Sequence, residues 1–275
     1  MTVGIPVGAV IVAGWLVLAR DKSEEQTLTV EAGAILAGDL CLTWADEMYA
    51  TSGLPADEVL RGRRVFDLMR TQLMGGQFLD ILNAARPWDD EDAPARTERV
   101  RRVMTYKSAK YSIEHPLLIG ATAGGLGPSD LAALSRYGVA LGVAFQLRDD
   151  LLGVFGDPVT TGKPAGDDLR EGKHTVLVAH TLAALDEERA ARFARHLGDA
   201  AVDDETVAWM CETILAAGAV DAVERDIDRL VQQGLERLDC DEFLGGERPI
   251  GGPHPQGGCR GLQGGQRRRR PGLHA

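Results

Sequence analysis

The chain has 275 residues, of which 44% are hydrophobic and only 5% aromatic. This length suits one large domain or two small ones, and the apolar content excludes wholesale disorder. Thirty lysines and arginines against 41 aspartates and glutamates give a formal net charge of −11, which argues against a general nucleic-acid-binding protein. Four cysteines without a CxxC pair exclude a disulfide scaffold and favour a reduced, cytoplasmic protein without structural zinc.

The N-terminal segment, residues 1–30, is atypically apolar. Its run from Val3 to Ala19 carries no charge, yet it is shorter than the roughly 20 apolar residues of a membrane span. The first three residues also lack the basic start of a secretory signal. Pro6 can open a buried helix of about 14 residues there. A membrane contact is therefore the less favoured interpretation.

Residues 31–243 are predicted to form an all-α domain, because their apolar side chains recur at helical spacing without sustained two-residue alternation. Gly38-Asp39-Leu40 precedes a predicted amphipathic helix, and Pro128-Ser129-Asp130 provides the start signals of another. The predicted helices are, in chain order, one through Trp44 and Met48, one from Leu131 towards Phe155, and three more over Thr175–Leu185, Glu205–Ala217 and Val220–Leu238.

Three segments do not have the pattern of ordinary helices. Pro87–Pro94 contains four consecutive acidic residues between prolines, which predicts an exposed acidic loop. Gly156–Lys173 is rich in Gly, Pro, Asp and Lys, which is typical of a long functional loop. Residues 244–275 are rich in Gly, Pro and Arg without apolar periodicity, and we expect a disordered tail with solvated arginines.

An acidic pair, Asp149-Asp150, lies inside the apolar helix that ends near Phe155. Burying uncompensated charge is costly, so such a pair needs cations, and Lys163 and Lys173 follow in the next loop. Carboxylate oxygens suit Mg²⁺, which keeps waters and also binds substrate phosphates. The pattern favours a metal–diphosphate site, although a helix end with aspartates facing water beside a solvated basic loop would have the same sequence.

Two further stretches carry polar side chains at useful spacing. Lys107 and Ser108 are adjacent, and Gln77 and Asp80 are three residues apart on one helical face. Taken singly, each of these is more often ordinary helix surface or core.

Together with Ala37–Leu40, these stretches form an ordered series of motifs. The series is Ala37–Leu40, Gly76–Asp80, Tyr106–Tyr111 and Phe145–Thr175, the last with GDP, TGKPAGDD and EGK following the acidic pair. In this order the sequence resembles the trans-isoprenyl diphosphate synthases, or polyprenyl synthetases, such as farnesyl and geranylgeranyl diphosphate synthases. The resemblance implies a bundle of antiparallel helices around a central cavity.

The resemblance also implies an activity, the Mg²⁺-dependent condensation of isopentenyl diphosphate with an allylic diphosphate in isoprenoid biosynthesis. The resemblance implies that Mg²⁺ is bound by Asp149, Asp150 and Asp168 or its neighbour Asp167. It implies that Lys107 and Lys163 contact the allylic diphosphate and that Ser108 and Gln146 lie near the carbocation. It also implies that Lys173 lies in the loop that closes over the site and that Gln77 and Asp80 bind substrate. Because relatives are commonly homodimers, we expect a homodimer or a heteromer with a complete homologue.

Two departures from the family pattern affect these expectations. Gly153 stands at the fifth position of the second aspartate-rich motif, where many relatives have a third aspartate. The first motif, DDxxD followed by paired arginines, has no match, since residues 1–37 contain a single aspartate, Asp21. The resemblance therefore implies a bundle incomplete at its N-terminus and severely reduced activity.

Two alternatives remain open at this point. The first is a catalytically inactive family-derived chain, which includes a subunit that partners a complete homologue. The second, less favoured, is a class I terpene cyclase, whose second metal motif needs a hydroxyl and a glutamate. The run Asp149–Asp157 contains neither.

Overall fold

The computed structural model describes residues 24–86, 92–162, 164–199, 201–236 and 238. Within these ranges all regular secondary structure is helical and no strand occurs, which confirms the predicted all-α class. The apolar run Val3–Ala19, Lys163 and the tail 244–275 lie outside the described residues. The predicted domain limits, 31 and 243, stay a prediction.

Eleven α-helices and one π-helix are found in the described ranges. They are α1 (Glu24–Ala50), α2 (Ala56–Ala84), α3 (Ala93–Met104), the π-helix (Thr105–Glu114), α4 (His115–Ala123), α5 (Pro128–Phe155), the single turns α6 (Pro158–Thr161) and α7 (Asp167–Arg170), α8 (Val176–Ala184), α9 (Glu187–His196), α10 (Asp204–Ala216) and α11 (Ala219–Glu236). The α3, π and α4 segments follow one another without a break.

The helices predicted from Thr175, Glu205 and Val220 are confirmed, with starts one residue away. The helix predicted from Leu131 towards Phe155 is also confirmed, but it begins three residues earlier, at Pro128. Side-chain caps explain several of these starts. Thr175 accepts a hydrogen bond from the backbone N–H of Val178 at 3.2 Å and so caps α8. In the same way an aspartate side chain satisfies an otherwise unpaired N–H at the start of α9 and of α10.

Three expectations for local structure are corrected. The acidic loop does not extend to Pro94, because Asp92 caps a helix that begins at Ala93 and holds this proline in its first turn. The Gly156–Lys173 segment is not loop throughout, since it contains α6 and α7. Gly38-Asp39-Leu40 does not precede a helix but lies inside α1. A single glycine is tolerated in a helix of this length at a cost of about 1 kcal/mol.

The hydrophobic core lies between α3, α5, α8, α10 and α11. Its buried members include Leu147 and Val154 of α5, Val176 of α8, Ile214 of α10 and Val223 of α11. At the C-terminal end of α1, the Tyr49 ring stacks on Phe66 of α2 with centroids 4.5 Å apart. None of the described helices is by itself long and apolar enough to cross a membrane. The consecutive helices α10 and α11 meet that criterion only when they are counted together, and their axes are bent by 58° relative to each other.

The π-helix lies between α2 and α5, and glycines allow the backbones to approach closely. A Cβ atom on Gly138 would lie 2.6 Å from Cα of Glu114, and one on Gly142 would lie 2.6 Å from Cα of Ala109. On the other side, Gly76 of α2 packs directly against the backbone at Tyr106. Because only glycine leaves room for this contact, the packing fixes the position of the π-helix between its neighbours.

The variant Gly142→Ala tests this packing. We expect it to lower the free energy of unfolding by about 1–3 kcal/mol, since the added methyl group overlaps Ala109. Gly75→Ala, on α2 with nothing within 4 Å of the added Cβ, is the matched control and should be neutral or stabilising by roughly 0.5–1 kcal/mol. Urea denaturation of both variants measures the difference, and equal stability of the two would contradict the packing described here.

Candidate functional site

A pocket of about 320 Å³ opens where the C-terminal part of α2, the α3–π junction, α5 and residues 171–175 meet. Its lining includes seven of the residues predicted from sequence: Asp80, Lys107, Ser108, Gln146, Asp149, Asp150 and Lys173. A larger groove of about 660 Å³ is lined by Pro158, Gly162, Pro164, Ala165 and Arg170 on one side and by α10 on the other, and none of these described lining residues is a predicted site residue. The chemistry of the smaller pocket makes it the candidate site.

On α5, Gln146 joins the two aspartates of the acidic pair. Its amide nitrogen donates to Oδ2 of Asp149 at 3.1 Å and to Oδ1 of Asp150 at 3.0 Å. The spacing of three and four residues places all three side chains on one face of the helix. Asp149 is exposed, whereas Asp150 is buried with 7% of its surface accessible.

Burial raises the pKa of Asp150 to about 7, even though the hydrogen bond from Gln146 favours the ionised form. The neighbouring carboxylates of Asp168 and Asp149 raise this pKa further, and the Lys173 ammonium acts in the opposite direction. At pH 7 this carboxyl group is therefore about half ionised, and a bound metal cation would favour its ionised form.

Asp168 is the second buried carboxylate of the site, with 5% of its surface accessible. Its Oδ1 forms an ion pair with Nζ of Lys173, which also contacts Oε2 of Glu171 at 3.2 Å. Asp168 therefore lies against the same lysine that lines the pocket. Neither Asp168 nor the half-buried Asp167 is among the lining residues, but the ion pair with Lys173, which does line the pocket, favours Asp168 over its neighbour as the metal-site carboxylate.

The π-helix presents Lys107 and Ser108 to the pocket from the opposite side. Nζ of Lys107 pairs with Oδ2 of Asp80 at 2.5 Å, which holds the ammonium group at the pocket wall. Gln77, one turn earlier on α2, is exposed and does not line the pocket. Of this predicted pair on one helical face, the structure brings only Asp80 into the site.

Sequence reasoning missed four polar residues of the pocket: Asn83, Glu171, His174 and Thr175. Asn83 follows Asp80 by one turn and accepts a hydrogen bond from Arg99. Burial and the positive charge of Arg99 lower the pKa of His174 to about 4, against a smaller opposing effect of Asp80. The imidazole is therefore neutral at pH 7. In the sequence, the position of His174 directly after Lys173 could have indicated that it lies in the site.

The pocket also has an apolar part. Ala84 of α2 and Val100, Val103 and Met104 of α3 line it beside the charged groups. The exposed aromatic side chains Tyr111 and Phe145 lie one helical turn from Lys107 and Asp149, outside this lining. The site thus offers charged groups with apolar surface beside them, as an amphiphilic ligand requires.

The donor set can be tested against Mg²⁺. Among the described residues, no three His, Cys, Asp or Glu side chains converge as a preformed metal cage. Asp149, Asp150 and Asp168 nevertheless supply hard oxygen donors, and two of them, Asp150 and Asp168, are buried near each other. Because Mg²⁺ is usually held by one or two carboxylates with waters and substrate phosphates, these residues fit the metal.

Known proteins resemble the chain in sequence and in fold. A sequence profile of the polyprenyl synthetase family matches residues 20–214. A short chain isoprenyl diphosphate synthase of Methanothermobacter thermautotrophicus is 32% identical over 81% of this chain and 66% of its own length. A geranylgeranyl diphosphate synthase of Methanosarcina mazei is 31% identical over 76% of this chain and 60% of its own.

A solved structure agrees with these matches. Geranylgeranyl pyrophosphate synthase from Corynebacterium glutamicum, complexed with isoprenyl diphosphate and magnesium, has a TM-score of 0.73 and 40% identity. The match covers 85% of this chain and 64% of that one. The chain therefore spans less than two thirds of the length of each of these three proteins. With the profile match over most of its length, the chain belongs to the polyprenyl synthetase family.

Proposed function

We propose that the protein is a Mg²⁺-dependent trans-prenyltransferase that condenses isopentenyl diphosphate with an allylic diphosphate. The observation that carries this proposal is the pocket in which Asp149 and Asp150 face Lys107 and Lys173. Paired carboxylates with lysines across from them suit a metal–diphosphate complex, which needs anionic ligands for the metal and cations for the phosphates. The apolar surface beside them suits a hydrocarbon chain.

Each side chain has a role that follows from its place. Lys107 and Lys173 donate to phosphate oxygens, with Lys163 as a further donor from the segment between α6 and α7. Ser108 and Gln146 lie at the pocket wall between the charged groups and the apolar surface, where the allylic carbocation would form. Val100, Val103 and Met104 line the pocket with apolar surface that excludes water from the hydrocarbon chain.

The same residues define where the metal acts. Asp149, Asp150 and Asp168 would hold Mg²⁺, which when bound neutralises the charge that develops on the leaving diphosphate. The Lys173 ammonium group forms an ion pair with the buried Asp168 carboxylate. Asp80 keeps Lys107 oriented towards the pocket until a diphosphate competes for its ammonium group.

We further propose that this 275-residue chain turns over slowly. Among the described residues, the carboxylates proposed to hold the metal come from α5 and α7, and the other two carboxylates of the pocket, Asp80 and Glu171, are paired with Lys107 and Lys173. Charge stabilisation of the leaving group is usually the largest catalytic contribution, and each 1.4 kcal/mol that is lost costs about a factor of ten in rate. With metal ligands from these two helices alone, we expect the chain to bind the diphosphate substrate but to catalyse its condensation slowly.

A second candidate function is that of a partner subunit. Large apolar side chains are exposed on α1 and α2, with Leu36 67% and Met48 73% accessible, and such patches mark association surfaces. We propose self-association, or association with a complete homologue, through this face. A class I terpene cyclase remains the least favoured alternative, because the run after Asp149 lacks the required hydroxyl and glutamate.

The acidic pair is tested by binding of inorganic diphosphate. Isothermal titration calorimetry of the wild-type chain is expected to show affinity that depends on Mg²⁺. The variant Asp149→Asn/Asp150→Asn should lose ~10-fold or more of it, since charged metal ligands are removed. The control Glu98→Gln/Glu212→Gln removes two exposed carboxylates outside the pocket and should bind as the wild type does. Unchanged affinity of the aspartate variant would overturn the proposed metal site.

Turnover is measured separately, by chain elongation with Mg²⁺, isopentenyl diphosphate and dimethylallyl, geranyl or farnesyl diphosphate. We expect diphosphate binding with elongation at least ~100-fold slower than that of a complete family member, which corresponds to about 2.7 kcal/mol of lost stabilisation. Elongation at the rate of the complete enzyme would contradict the proposal of reduced activity while leaving the proposed reaction intact.

Association is tested by light scattering after size-exclusion chromatography. The wild-type chain should run as a dimer or larger species, and Leu36→Glu on α1 should shift it towards the monomer. Leu215→Glu on α10 replaces a leucine of similar exposure, 56%, away from this face and is the matched control. A wild-type monomer at micromolar concentration would argue against the association surface.

A further inference from the structure

Gly153 lies one turn after Asp149 on the same face of α5, and it has a close neighbour from another segment. A Cβ atom built on Gly153 would overlap the carboxylate of Asp168, with its Oδ2 and Cγ as the nearest atoms. This contact is with a buried carboxylate, which has little room to move, rather than with the free end of a mobile side chain. A side chain at position 153 and the observed position of Asp168 therefore exclude each other.

Asp168 is held at this position by its own segment. Its backbone carbonyl accepts a hydrogen bond from the Lys173 N–H at 3.0 Å, while its side chain pairs with the Lys173 ammonium group. The backbone N–H of Gly166 donates to the Val154 carbonyl at 3.1 Å and so ties the start of α7 to the end of α5. These contacts place the carboxylate against α5 at the level of Gly153.

From this arrangement we infer that Gly153 is a positioning residue: the absence of a side chain there admits the Asp168 carboxylate to the acidic face of α5. The one-turn helix α7 thus supplies the carboxylate that the fifth position of the aspartate motif lacks. Asp168, not Asp167, fills this place, because its carboxylate is the one in contact with Gly153. The inference rests on the proposed function, since it assigns this carboxylate to the same metal–diphosphate site.

The physical reason concerns the number of charges that one buried face can hold. An aspartate at position 153 would be added to Asp149, Asp150 and Asp168 with Lys173 as the basic side chain that pairs with Asp168. Without a further cation, each added buried carboxylate raises the cost of ionising the others. A glycine at position 153 keeps the number of carboxylates at three. The third carboxylate, that of Asp168, then comes from the segment that also carries Lys173.

The test compares Mg²⁺-dependent binding of inorganic diphosphate, by calorimetry, among variants of the full chain. Gly153→Ala should weaken this affinity ~10-fold or more, as displaced residues around metal sites do. Gly75→Ala is the matched control in open space on α2 and should bind as the wild type does. Thermal melting of each variant establishes that it is folded.

A reciprocal exchange keeps the inference falsifiable if Gly153→Ala does not fold. Asp168→Gly alone should lose affinity, and Gly153→Asp/Asp168→Gly should recover a measurable part of it. Asp167→Gly alone should keep its affinity, and Gly153→Asp/Asp167→Gly, in which Asp168 is still present and displaced, should bind no more tightly than Asp167→Gly.

The outcomes separate this inference from the proposed function. Wild-type affinity in Gly153→Ala, or an exchange variant no tighter than Asp168→Gly, overturns the inference while the metal–diphosphate site stands. A wild-type chain without Mg²⁺-dependent diphosphate affinity overturns both.

Discussion

The burial of two carboxylates at one point is the constraint on which the site depends. Asp150 and Asp168 are each less than a tenth accessible and lie near one another, so the folded chain must compensate their charge. The Lys173 ammonium compensates one of them, and a dication can compensate the other. The need for positive charge is thus built into α5 and α7, and it makes this pocket suited to a metal–diphosphate complex.

Close helix packing puts the remaining groups within reach of these carboxylates. Gly76, Gly138 and Gly142 let α2 and α5 contact the backbone of the π-helix on its two sides. That packing presents Lys107 towards Asp80 and towards the acidic pair. Charged groups from three helices therefore meet at one end of the bundle, with apolar side chains one turn away.

Much of this arrangement could be predicted from sequence. Helical periodicity and start signals predicted α5, α8, α10 and α11, and the adjacent aspartates pointed to the site because charge inside an apolar helix requires a partner. Spacing along one helix could not show that Asp80 reaches the pocket while Gln77 does not. The contact of Gly153 with Asp168 joins two segments, so it depends on tertiary packing that the glycine alone does not reveal.

The most direct measurement of the central claim is a crystal structure of the chain grown with Mn²⁺ and inorganic diphosphate. Mn²⁺ takes the oxygen ligands that suit Mg²⁺, and its anomalous scattering locates it without ambiguity. The account predicts an anomalous peak in contact with the carboxylates of Asp149 and Asp150, with the diphosphate between it and Lys107. Metal and diphosphate bound elsewhere on the protein, with this pocket empty, would contradict it.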